Sequence, residues 1–201
     1  MASVAISPKE VSELRARTGA GMMDCKRALE EAGGDMEKAA EILRKKGITK
    51  AEKRAGRTAS QGTVVSYIHH NGQVGVLVEL NSETDFVART DAFQQLARDI
   101  ALHVASADPI GVSAADVPEE LIERERRIAE EQVIAEGKPE AVRAKIVEGK
   151  VKKFIAERTL LEQPYVRDDK KTVGDLVKEV SGTLGEAVSV RRFARFQVGA
   201  A

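Results

Sequence analysis

Between Thr63 and Leu80 the chain reads TVVSYIHHNGQVGVLVEL, two β-branched stretches on either side of Asn71-Gly72. Asn-Gly suits the two central positions of a tight hairpin turn, which need positive φ, and the flanking Val, Ile and Thr favour extended backbone. A β-hairpin is expected here. The fifty residues before it carry helical spacing instead, so helices and strands do not alternate regularly. That pattern predicts an α+β fold rather than a doubly wound sheet.

Ser7-Pro8-Lys9-Glu10 has capping-box spacing with proline at the first helical position, and Val11 and Leu14 follow at helical intervals. Thr18-Gly19-Ala20-Gly21 breaks that helix. A second runs over 22–32 to Gly33-Gly34. Asp35 caps a third over 36–46, with Ala39, Ala40, Ile42 and Leu43 inward and Gly47 as its stop. Residues 1–55 are thus expected as a three-helix bundle with a basic linker, and 56–201 as an α+β core. Beyond the hairpin, Asp91 caps a helix with Phe93, Leu96, Ala97, Ile100, Ala101 and Val104 on one face. A helical hairpin is expected at about 118–158, turning at Gly137-Lys138-Pro139. Its apolar positions are Leu121, Ile122, Ile128, Val133, Val142, Ile146, Val151, Phe154 and Ile155. A strand-like piece over 160–166, a helix from Val173 and a strand over 187–198 complete an antiparallel sheet core flanked by helices.

Lys plus Arg and Asp plus Glu each count 32, so the net charge is zero. A protein that coats nucleic acid or an anionic membrane carries a basic excess, so neither direct nucleic-acid binding nor membrane binding is expected. Aromatics are 3% of the chain, which makes any exposed one informative. A single cysteine, Cys25, excludes an intrachain disulfide, and no apolar run reaches the ~18 residues of a membrane span. The N-terminus lacks a secretory pattern, and a cytoplasmic protein is expected. Phosphate-binding glycine loops, the G-x-S-x-G elbow and metal-ligand spacings are missing from the sequence, so no small-substrate enzyme, metal or cofactor is expected. His69 and His70 flank the hairpin turn, where at least one faces solvent, and His103 reads as a satisfied, half-buried histidine. Seven basic residues and one acid lie between Arg44 and Arg57. They form either a solvated linker or helix end, or a contact for an acidic partner or RNA.

Two segments differ from plain scaffold. In LRARTGAGMMDCKRAL, from Leu14 to Leu29, a loop with two glycines delivers Met22 and Met23 to the start of a helix. Either Met22 packs inward, or a soft unbranched side chain faces a partner. In ELNSETDFVAR, from Glu79 to Arg89, a strand leaves its sheet into a connection, where binding residues are commonly placed. Phe86 either plugs the space under the hairpin or is presented beside Asp85 to another protein.

Both segments resemble the two signature stretches of the elongation factor Ts family, in order and at the family's spacing. GKPEAVRAKIVEGKVKKFIAE, EQPYVRDDKKTVGDLVKEV and RRFARFQVG further downstream are similar to its C-terminal part. The resemblance implies a ubiquitin-associated-like bundle, a sheet core, and elongation factor Tu bound to GDP as partner. It implies that Thr84, Asp85, Phe86 and Val87 dislocate Mg²⁺ in the partner's pocket, and that Arg15, Gly21, Met22, Met23 and Lys26 contact its nucleotide-binding domain. Val190, Arg191 and Arg192 are implied as a further contact. With one core half, the chain resembles the short family members that pair as homodimers. The competing readings are an adaptor that binds a partner without acting on nucleotide, and an RNA-associated factor using the basic run.

Overall fold

The computed structural model describes residues 6–200, and among these it is α+β, with eight α-helices, a three-stranded antiparallel sheet and a two-stranded one. They divide into two compact units. The first takes the described residues up to Gly62 together with Asn81–Phe93 and Val177–Ser189, and the second takes Thr63–Leu80, Gln94–Leu176 and residues 190–200.

The first unit opens with α1 (Pro8–Thr18), held by the expected box: Glu10 N–H donates to Ser7 Oγ at 3.3 Å and Ser7 N–H to Glu10 Oε2 at 2.7 Å. Gly19, at φ +68°, ends it. Helix α2 (Met22–Glu31) buries Cys25, Ala28 and Leu29 against Val11 and Leu14 of α1 and Ala39 of α3 (Met36–Glu52). Met36, Ala40, Ile42 and Leu43 pack partly buried on the same cluster. Asp35 caps α3 as expected, accepting from the N–H groups of Glu37 and Lys38 at 3.0 and 3.1 Å.

Gly47 does not stop this helix, which continues to Glu52. It is instead the place where α8 (Val173–Leu184) comes closest, since a Cβ on Gly182 would lie 2.6 Å from the Gly47 carbonyl oxygen. The basic run is accordingly the second half of α3 and the turn after it. Arg44 pairs with Glu179 at 3.2 Å, Lys45 with Glu41 at 2.8 Å, Lys46 with Glu31 at 2.5 Å and Lys50 with Asp24 at 3.1 Å. Arg57 pairs with Glu83 at 3.3 Å.

The second unit holds most of the sheet, in the order β1 (Gln61–Ile68), β2 (Val74–Ser82), β5 (Val188–Gln197). The expected hairpin forms, but its turn is longer than the Asn-Gly pair suggests. His69 N–H donates to Val74 O at 2.9 Å across four residues, Gly72 N–H donates to His69 O at 2.8 Å, and of the pair only Gly72 takes positive φ, at +68°. Val198 N–H reaches Gln73 O at 3.0 Å, tying the end of β5 to the start of β2. Val76, Val78 and Leu80 are buried, as are Leu96, Ala97, Ile100, Ala101 and Val104 of α5 (Asp91–Ala107). The opposite sheet face exposes Val64, Ile68, Leu77 and Phe196. Capping of α5 falls to Thr90, whose Oγ1 accepts from Phe93 N–H at 3.4 Å, and not to Asp91, which sits in the first turn.

Helices α6 (Glu119–Ala135) and α7 (Glu140–Arg158) form the expected hairpin around Ala129, Val133, Val147 and Val151, with Ile122, Ile146 and Ile155 beside them. Ile128 and Val142, expected inward, are exposed. Ala129 and Val133 are four apart and share the inner stripe, and Ile128 lies one residue, about 100°, off it. Strands β3 (Pro164–Tyr165) and β4 (Asp168–Thr172) pair antiparallel, β4 being a strand the charged DDKKT sequence does not announce.

His103 is fully buried rather than half-buried. Its Nδ1 accepts from Val166 N–H at 3.2 Å, which leaves Nε2–H to donate to Gln163 Oε1 at 3.0 Å. Burial, opposed by the Gln163 hydrogen bond, holds the imidazole below its usual value of 6.5. The unfolded chain therefore binds this proton before the folded one does, so the folded state is favoured above about pH 6.5 and loses that advantage as pH falls. Urea unfolding midpoints are expected to drop between pH 7 and pH 5, and to drop less in His103→Gln.

Candidate partner-binding site

Where β2 ends, the chain turns through Glu83 and Thr84 into a single helical turn, α4 (Asp85–Ala88). Thr84 is its N-cap, with Oγ1 accepting from Val87 N–H at 3.4 Å. At the other end, Thr90 Oγ1 donates to Val87 O at 2.8 Å. Ser82 and Ala88 are buried, so the turn is anchored at both ends while its middle projects. Phe86 is 78% exposed, the most exposed large hydrophobic residue among those described. It does not plug the hairpin. Asp85 beside it is half-buried and takes a hydrogen bond from Arg89 Nη2 at 2.7 Å, an exposed i,i+4 pair.

Sequence reading missed what holds this tip. Glu186, in the turn between α8 and β5, accepts from Thr84 N–H through Oε2 at 3.0 Å and from Thr84 Oγ1–H through Oε1 at 2.7 Å. Reciprocally, Glu83 Oε1 accepts from Ala187 N–H at 2.7 Å. That hydrogen bond first, then Arg57, holds the Glu83 carboxyl below the usual carboxylate range. Glu83 lies inside the quoted segment, but Glu186 is 102 residues from Thr84 and nothing local marks it.

The other segment meets solvent in the same compact unit. Gly21 starts α2 without a side-chain cap, and Met22 and Met23 are 40% and 65% exposed, so both face outward while Cys25 behind them is buried. Arg15 and Lys26 are also exposed, Lys26 lying 3.8 Å from Glu30. The third group lies in the second unit. Val190 is buried, and Arg191 and Arg192 are both exposed although they are adjacent in a strand. The inward alternation of Val188 and Val190 resumes at Phe193 and Arg195, a slip of one residue such as a bulge produces. Arg192 Nε donates to Glu79 Oε2 at 2.7 Å.

What the site offers is contact chemistry: an aromatic ring, two methionines and cations held out of their own core. A family described as Elongation factor TS matches residues 8–200. Elongation factor Ts of Carboxydothermus hydrogenoformans is 56% identical over 194 residues, covering 96% of this chain and 89% of that one. For Elongation factor Ts of Thermosipho melanesiensis the identity is 55% over 194 residues, 96% of this chain and 99% of the relative. Elongation factor Ts of Nitratidesulfovibrio vulgaris is 53% identical over 197 residues, 98% of each chain. Matched along nearly its whole length, and more than half identical to relatives of similar size, the chain belongs to the elongation factor Ts family.

Proposed function

We propose that this translation elongation factor is the guanine-nucleotide exchange factor of elongation factor Tu. In this reading it binds the GDP-bound partner, displaces Mg²⁺, disturbs the phosphate site, and stabilises the nucleotide-free state until GTP binds. The observation that supports it most is Phe86, a ring held in water beside a carboxylate by a braced turn. An exposed aromatic contributes nothing to its own fold and gains its burial only on a partner.

Mg²⁺ and phosphate contacts supply much of a nucleotide's hold in such pockets. Whatever stabilises the empty pocket weakens the nucleotide by the factor with which the nucleotide weakens it. Moving a two-state pocket from 1:99 to 99:1 takes about 5.5 kcal/mol of differential affinity. One phenylalanine buried on the partner supplies about 1.5–3 kcal/mol. Phe86 is thus the wedge, with Asp85 as the acid that repels phosphate and competes for the cation, and Thr84 and Val87 as its frame. The remainder falls to Arg15, Gly21, Met22, Met23 and Lys26, and to Arg191 and Arg192, with Val190 behind them in the core. The act requires no catalytic acid, base or cofactor from this chain.

The same proposal takes residues 1–55 as a ubiquitin-associated-like module and 56–201 as the core, working in the cytoplasm without direct contact to nucleic acid. It also takes the active species as a homodimer, supported by the sheet face that leaves Val64, Ile68, Leu77 and Phe196 exposed, large apolar side chains of the kind an interface covers. Light scattering is expected to give the mass of two chains, and Phe196→Asp that of one. A wild-type monomer that still promotes exchange at nanomolar concentration overturns the dimer.

Exchange itself is tested by stopped-flow release of fluorescent GDP from elongation factor Tu, which the chain is expected to speed strongly. Equal rates with and without it overturn the proposal. Met22→Asp is expected to weaken complex formation about tenfold or more in titration calorimetry, since a charge replaces a buried thioether at the contact, while the melting curve stays put. Unchanged affinity removes α2 from the interface.

A further inference from the structure

We infer that Glu186 is a positioning residue for exchange, fixing where the Thr84–Val87 tip stands; the inference rests on the exchange reading above. A four-residue helix cannot hold itself in water, because one turn fixes several dihedrals for a single backbone hydrogen bond. The Asp85–Arg89 pair is exposed and adds little. Phe86, at 78% exposure, adds nothing to its own placement.

The buried Ser82 and Ala88, Ser82 Oγ–H donating to Thr84 O at 2.9 Å and Thr90 Oγ1–H donating to Val87 O at 2.8 Å tie the turn to its own flanks. The hold on Thr84 from a distant part of the chain is the carboxylate of Glu186. An ionised carboxylate only accepts hydrogen bonds, and here each oxygen takes one donor from the same residue, the N–H and the O–H of Thr84. Two bonds from one residue to one carboxylate fix orientation as well as position. The second bond extends further, since Val87 N–H donates to the Thr84 Oγ1 whose proton goes to Glu186. Such a chain polarises along its length and passes the constraint to the residue after Phe86.

Glu186 is itself held. Gly185 before it, at φ +79°, ends α8 in a conformation that favours glycine, and Ser181 Oγ–H donates to Glu186 O at 2.6 Å. Ala187 N–H returns the exchange to Glu83 at 2.7 Å. The two glutamates thus cross-brace the chain leaving β2 and the chain entering β5, and the tip grows out of that brace. A wedge that must enter a partner's pocket gains from being placed beforehand, because ordering it on contact would cost affinity or rate.

The test uses the full-length chain as wild type, Glu186→Ala, Glu186→Gln, Phe86→Ala and the double variant Phe86→Ala/Glu186→Ala. GDP release from elongation factor Tu is followed against factor concentration, alongside NMR amide exchange at Thr84. Glu186→Ala is expected to lower the maximal release rate about tenfold, with the half-saturating concentration within threefold and the melting temperature close to wild type. Glu186→Gln, which keeps one acceptor oxygen on the same stem, recovers most of the rate. In the Phe86→Ala background the second substitution costs little more, because both act through one ring. Thr84 amide exchange accelerates at least tenfold in Glu186→Ala. A wild-type maximal rate in Glu186→Ala, an equal loss with and without Phe86, or an unchanged Thr84 amide each overturns the inference. If even the wild type leaves GDP release unchanged, the exchange reading falls, and the Thr84 amide alone then decides whether the brace exists.

Discussion

Phe86→Ala is expected to cut the maximal rate of GDP release from elongation factor Tu by roughly 10- to 150-fold and to leave the chain as stable as before. The first figure follows from the side chain's transfer to a buried site on the partner, about 1.5–3 kcal/mol, each 1.4 kcal/mol being tenfold. The second follows from its surroundings. At 78% exposure the ring touches little of its own chain, and alanine suits a helical turn at least as well as phenylalanine. The two effects are read separately, by stopped-flow fluorescence and by thermal melting. A variant that melts early would mean that the ring supports the fold, and one that exchanges at the wild-type rate would mean that the wedge lies elsewhere. Arg89→Ala serves as the local control. It removes an exposed ion pair on the same turn, for which a change of less than about threefold is expected.

Composition alone leaves both segments open: Phe86 among Asn, Ser, Glu, Thr, Asp and Arg could plug the hairpin or face a partner, and Met22 could pack inward, so it is the resemblance to the family that singles them out. The structure turns all three side chains outward, which excludes the inward alternatives. The bundle's first and third helices followed from their caps, Ser7 with Glu10 and then Asp35, because capping is encoded within three residues. Strand β4 escaped because Asp168 to Lys171 carry charges on consecutive positions. It is defined by pairing with Pro164 and Tyr165, not by hydrophobicity. Glu186 escaped for a related reason: its role exists only when residues 102 apart in sequence are brought together. Gly47 was misread as a helix stop because a glycine that ends a helix and one that admits a neighbouring helix look the same in sequence.

That last ambiguity leads to the other large effect. A Cβ on Gly182 would lie 2.6–2.7 Å from the Gly47 carbonyl oxygen, carbonyl carbon and Cα, all backbone atoms of α3 that cannot rotate aside. Gly182→Ala is therefore expected to force the two helices apart and to destabilise the first unit by about 1–3 kcal/mol, the range for overpacking a tight contact. The reverse substitution behaves differently. A Cβ on Gly47 would find only Gly182 Cα, at 3.8 Å, which is ordinary contact. Since Gly47 sits inside a helix of 17 residues, Gly47→Ala is expected to be neutral or to stabilise by up to about 1 kcal/mol through helix propensity. Urea unfolding followed by circular dichroism distinguishes the pair. Opposite signs from two exchanges of the same kind at one contact identify it as a one-sided close approach. Equal losses would show instead that α3 needs the freedom of glycine at position 47 after all. The destabilised variant also bears on function. The closing turn of α8 carries Gly185 and leads into Glu186, so displacing α8 shifts the carboxylate that holds Thr84. Gly182→Ala is thus expected to slow exchange even though it lies outside the proposed contact, whereas Gly47→Ala leaves the rate unchanged.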